Sequence, residues 1–163
     1  MPTSINEFVQ RLRLILYGLL ALPLLIFVVV YLRTNKGEML SPVVSENFIF
    51  PVTSILILIP VVSVILGYLV FNKRIRNVRH KKDLTSKLIY YHQAMVIKFS
   101  FLEIALILSI AGLLITADQL FIILFMIIIF NFSIVSPSVP RLLRHTKISR
   151  EEIRHLMEKQ NDL

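Results

Sequence analysis

Four stretches of this chain are too long and too uniformly apolar to be the amphipathic elements of a water-soluble domain. Residues 14–32 are 19 residues without a charge, held between Arg13 and Arg33. Residues 47–72 add 26 more, and residues 119–140 another 22. Residues 99–117 are 19 residues in which Glu103 is the only charge. A helix at the surface of a soluble protein keeps one polar face, and these segments have none. A bilayer core about 30 Å thick needs about 20 residues of helix to cross it. In hydrocarbon each backbone N–H and C=O must pair within its own segment, which makes the segments helices. The alternating polarity of barrel strands is absent. The reading is an all-α, polytopic integral membrane protein with four transmembrane helices at about residues 12–33, 48–72, 84–116 and 119–137. They make one four-helix domain over 1–140, followed by a tail over 141–163 with a short amphipathic helix.

Composition agrees. The chain is 56% hydrophobic and 17% charged, with a mean hydropathy of +0.75. Soluble domains lie nearer roughly 45–50% apolar and about 25% charged. It has no cysteine, which excludes disulfides and thiolate metal sites. The first apolar run exceeds the core of a signal peptide, about 7–15 residues, and no small-x-small cleavage pattern follows it, so it is expected to be retained.

The net charge of +8 invites a nucleic-acid reading, and its distribution argues against one. Sixteen of the 18 Lys and Arg residues precede the first apolar run, lie between the second and third, or follow the fourth. Only Arg33 and Lys36 lie on the other side. The positive-inside rule then places both termini and the central basic loop in the cytoplasm. Arg74, Arg76, Arg79, Lys81 and Lys82 are expected to set this topology and to meet anionic lipid headgroups. The aromatic interleaving of a base-stacking surface is missing, so no nucleic-acid partner is expected.

Local signals refine the picture. Leu84, Leu88, Tyr91 and Met95 recur at helical spacing, and no breaker intervenes before Thr116. The third helix therefore predicts 33 residues, about 50 Å, longer than the bilayer is thick. A four-residue turn, Thr116-Ala117-Asp118-Gln119, makes the last two spans a tight hairpin with Asp118 as N-cap. Pro23 and Pro60 fall inside spans and are expected to kink them. Ser149-Arg150-Glu151-Glu152 is a capping box that would open the tail helix.

Glu103 is the costly residue. A carboxylate at mid-bilayer costs roughly 2.5–3.5 kcal/mol on insertion scales unless it is paired, protonated or wetted. If the hairpin turn centres near residues 117–118, residue 103 lies level with 132, between Asn131 and Ser133. A Glu103–Asn131 hydrogen bond is the structural expectation, and a proton or cation site of Glu103, Asn131 and Ser133 is the functional one. Ala105, Ser109, Gly112 and Thr116 form a small-residue stripe for close helix packing, and Ser63 with Gly67 forms a second. On a helical wheel Glu103 lies roughly opposite the first stripe. If that stripe faces span 4, Glu103 faces span 1, span 2 or another subunit. If it faces elsewhere, Glu103 remains free to meet Asn131.

The second half resembles a group of small, uncharacterised bacterial four-span membrane proteins. The likeness rests on Lys87-Leu88-Ile89-Tyr90-Tyr91-His92-Gln93-Ala94 and on Phe101-Leu102-Glu103. It continues in Leu113-Leu114-Ile115-Thr116 with Leu120-Phe121, and in Pro137…Pro140-Arg141 with Ile148-Ser149-x-Glu151-Glu152. It covers roughly residues 70–155. The group has Leu-Glu-Gly where this chain has Glu103-Ile104, and an Arg-Pro-Thr-like exit where it has Val135-Ser136-Pro137. The resemblance implies an integral protein of a bacterial inner membrane with Glu103 in a recurrent motif, and no catalytic role. A weaker likeness, to rotary-ATPase proteolipid subunits, ends at the four-span plan with a membrane carboxylate. Those rings need abundant Gly and Ala, and this chain has four glycines.

No phosphate-binding Gly loop, H-E-x-x-H or G-x-S-x-G is present. His80, His92, His145 and His155 are not spaced as metal ligands. No enzyme activity, metal or cofactor is expected. The first functional expectation is a structural or accessory subunit that packs with itself or with a larger membrane complex. The alternative is a proton- or cation-linked channel or carrier built on Glu103. A lipid-active enzyme would have to draw on His92, Tyr91 and Asp83.

Overall fold

The computed structural model describes residues 5–35, 46–78, 84–135 and 137–146. They form α1 (Ile5–Asn35), α2 (Glu46–Val78), α3 (Leu84–Thr116), α4 (Leu120–Val135) and α5 (Val139–Thr146). Three of these, α1, α2 and α3, are long and apolar enough to cross a membrane, and α4 is a shorter apolar helix. The chain is an all-helical protein of membrane-embedded character among the described residues.

α3 has the bounds expected for it, and α1 and α2 extend beyond the apolar runs into the flanking polar sequence. α1 and α2 run without a break through Pro23 and Pro60, and both prolines are buried. The fourth apolar run divides. Pro137 cannot supply the N–H that would continue α4, so the helix stops at Val135 and α5 begins at Val139. α5 is an amphipathic helix between the apolar run and the tail, with Leu142 fully buried and Arg141 and Arg144 exposed. It was not foreseen from the sequence. The expected tail helix at Ser149, and basic residues Arg79, Lys81 and Lys82, lie outside the described residues.

α3 is the hub, packed against α1, α2, α4 and α5. Its buried side chains, from Tyr91 through Phe99, Leu102 and Leu106 to Leu113, form the axis of the core. The α3–α4 turn contains the structure's one positive φ at a non-glycine among the described residues, Ala117 at 57°. Its N–H closes back on Leu113 O at 2.9 Å, an αL cap of the helix end. Asp118 Oδ1 then accepts from Leu120 N at 2.9 Å, which caps α4.

Small residues set how closely the helices approach. A Cβ built on Gly112 would lie 2.2–2.6 Å from three ring atoms of Phe121, so only glycine admits that ring. A Cβ on Gly67 would lie 2.9 Å from Phe101 Cβ. The first stripe therefore meets α4 at Gly112, and the Ser63/Gly67 stripe meets α3. Most hydroxyls are satisfied within their own helix. Ser109, Thr116 and Ser133 donate to the carbonyls four residues back, at 2.8–3.2 Å. Ser63 is different, its Oγ donating across the interface to Phe101 O at 2.9 Å.

Candidate functional site

The polar chemistry of the bundle gathers at one level, at the end of α4 away from its tight turn. Lys98, on α3, is 4% exposed. Its ammonium lies 3.7 Å from the ring centroid of Tyr68 and 4.7 Å from that of Phe71, both on α2. A desolvated cation over an aromatic face is worth about 2 kcal/mol. Removing an ammonium from water costs several kcal/mol, so the two rings offset only part of that cost. The Tyr68 hydroxyl donates to Asn131 Oδ1 on α4 at 2.7 Å. Lys98, Tyr68 and Asn131 thus tie three helices at one height.

α4 ends beside them, and its last carbonyls have no helical partners. One guanidinium reaches a carbonyl of its last turn, and a second reaches the segment just past it. Arg13 Nε, from α1, donates to Pro137 O at 2.8 Å. Arg141 Nη1, from α5, donates to Ile134 O. Cations also suit the negative end of the α4 dipole. The sequence pattern marked these arginines only as topology signals. Their role as caps needed the fold, because Arg13 and Pro137 lie 124 positions apart.

Two open cavities adjoin this level. One, of about 220 Å³, is lined by Phe71, Met95, Lys98, Ile134, Val135 and Arg141. The other, of about 90 Å³, lies among Arg13, Leu16, Tyr17, Phe99, Phe132 and Ser133.

The expected Glu103 site is arranged differently. Asn131 is bonded to Tyr68 rather than to Glu103, and Ser133 Oγ donates to Ile129 O in its own helix. The turn itself falls at Ala117, where it was expected, so its position is not the cause. Gly112 of the small-residue stripe meets Phe121 of α4, and Glu103, nine residues before Gly112, points to the opposite side of α3. Glu103 is half-buried, between buried Phe99 and exposed Ile107 along its ridge. It has no hydrogen-bond or ion-pair partner among the described residues.

Of the other candidates, Ala105, Ser109, Gly112 and Thr116 are all buried, as are Ser63 and Gly67. Arg74 and Arg76 are exposed at the end of α2. His92 is half-buried, its ring 6.0 Å from that of Phe8. Tyr91 is fully buried, and Asp83 lies outside the described residues. Among the described residues no group of three or more His, Asp or Glu side chains is placed to hold a metal ion.

No family model matches the chain, and no curated protein and no solved structure matches it either.

Proposed function

We propose that this chain is a non-enzymatic, four-span subunit of a bacterial inner membrane, with both termini and the α2–α3 loop in the cytoplasm, which packs through the Glu103 edge of α3 against a second copy or a larger membrane complex. The observation that carries the reading is Glu103 itself. It is a half-buried carboxylate within an apolar helix, flanked by exposed Ile104 and Ile107, and no described residue pairs with it. An acid at membrane depth costs several kcal/mol unless a partner relieves it, and a neighbouring chain provides one. α4 serves as the fourth span. Its 16 residues reach about 24 Å. That is a few ångströms short of the hydrocarbon core, a mismatch that local thinning accommodates.

The test is co-purification under mild detergent, together with bifunctional cross-linking in membranes from Ile107→Cys. The native chain has no cysteine, so each introduced thiol reports one position. A discrete cross-linked species that weakens in Glu103→Leu is expected. A chain that stays monomeric and partnerless in both measurements overturns the proposal. The same carboxylate supports a second reading, a proton- or cation-linked carrier. On that reading liposomes show pH-dependent flux that Glu103→Gln abolishes; no flux in the parent removes it.

A further inference from the structure

We infer that the cavity between α2, α3, α4 and α5 is a binding site for a phosphate-class anion, and that its apolar walls suit the phosphodiester headgroup of an anionic phospholipid. Lys98 is the anchor. It is more than nine-tenths buried and lines the cavity, and no carboxylate or other hydrogen-bond acceptor among the described residues meets its ammonium. A buried cation without an anion is an unfavourable arrangement that the aromatic faces only partly relieve. Arg141 lines the same space, and a guanidinium is suited to phosphate oxygens.

The other four walls are Phe71, Met95, Ile134 and Val135. They are apolar, and Ile134 is exposed on the outer face of α4, so the cavity opens toward the surface that lipid covers. About 220 Å³ admits a headgroup and leaves acyl chains outside. Depth agrees as well. Lys98 lies 18 residues before Thr116, the last residue of α3. That is about 27 Å along the helix, close to one hydrocarbon thickness below the opposite surface, where headgroup phosphates begin. The site differs from the exposed basic residues at the end of α2, Arg74 and Arg76, which meet headgroups from outside the bundle.

The inference rests on the membrane reading of the chain, and reconstitution separates the two. Failure to insert into nanodiscs counts against the membrane reading, whereas insertion without lipid preference counts against this site. The full chain is placed in phosphatidylcholine nanodiscs containing phosphatidylglycerol or not, and thermal stability and native-mass lipid retention are read in 0.5 M salt, roughly the regime in which exposed charges are screened. Phosphatidylglycerol should stabilise the parent and remain bound. Lys98→Met and Arg141→Gln should each weaken that retention by roughly tenfold or more, the usual size of a lost charge-assisted hydrogen bond. Arg74→Gln with Arg76→Gln should leave it intact. Stabilisation by inorganic phosphate alone, lost in the same variants, supports the anion site and identifies free phosphate as its source. No preference in the inserted parent overturns the inference. So does a preference retained in Arg141→Gln and Lys98→Met, or one lost equally in the Arg74/Arg76 variant. Should Lys98→Met fail to fold, Arg141→Gln, altered at an exposed side chain, carries the decision.

Discussion

The hydroxyl of Tyr68 donates to Asn131 Oδ1 at 2.7 Å, joining α2 to α4 across a bundle in which α3 holds each of them separately. The same ring carries the Lys98 ammonium on its face. One aromatic side chain therefore does two separable things. Tyr68→Phe keeps the ring and removes the hydrogen bond, and should cost about 0.6 kcal/mol, the average for interhelical bonds in membranes, and no more than about 1.7 kcal/mol. Tyr68→Leu also removes the cation–π contact and should cost about 1–2 kcal/mol more. Unfolding midpoints in lipid–detergent micelles check this. Equal losses for the two variants would show that the ring face contributes nothing.

Gly112 and Phe121 define the closest approach of α3 and α4. Gly112→Ala forces the ring aside and should destabilise the hairpin by roughly 1–3 kcal/mol, the usual cost of overpacking. Combining it with Phe121→Leu should cost less than the sum of the single changes. A double-mutant cycle of unfolding free energies measures the coupling, and strict additivity would contradict the contact.

Ala117 takes φ 57°, where a Cβ is strained. Ala117→Gly should stabilise the chain by about 1 kcal/mol, and Ala117→Val should destabilise it by more. A thermal midpoint that falls in the glycine variant would rule out the left-handed cap.

Asp118 caps α4 through Leu120 N–H. Asp118→Ala should lose about 1 kcal/mol and Asp118→Asn very little, because both Asp and Asn accept that bond. Hydrogen exchange at the first turn of α4 reports it locally, with faster exchange in the alanine variant alone.

Thr53 is buried in α2, and its Oγ1 has no hydrogen-bond partner among the described residues. Thr53→Val keeps the shape and removes the unsatisfied hydroxyl. It should be neutral or stabilising by about 1 kcal/mol. A clear loss of stability would reveal an acceptor for that hydroxyl.

Whether a chain crosses hydrocarbon depends on the length and uniformity of each apolar run, and both are written residue by residue. The three long helices, the bounds of α3 and the Asp118 cap could therefore be read without a fold. They follow from backbone hydrogen bonding in an apolar medium and from signals within a few residues of one another. Glycine and serine likewise announced close packing, though not which helix would approach. Partner choice is different in kind. It depends on which side of each helix faces its neighbour: Gly112 turns toward α4 and Glu103 away from it, and Asn131 bonds Tyr68 instead. The end of α4 is similar, since Arg141 meets the carbonyl of Ile134 in its last turn and Arg13 of α1 meets that of Pro137 just beyond it. Such pairings join positions far apart in the chain, and only the tertiary arrangement decides which cation meets which carbonyl and which buried charge is left without an anion.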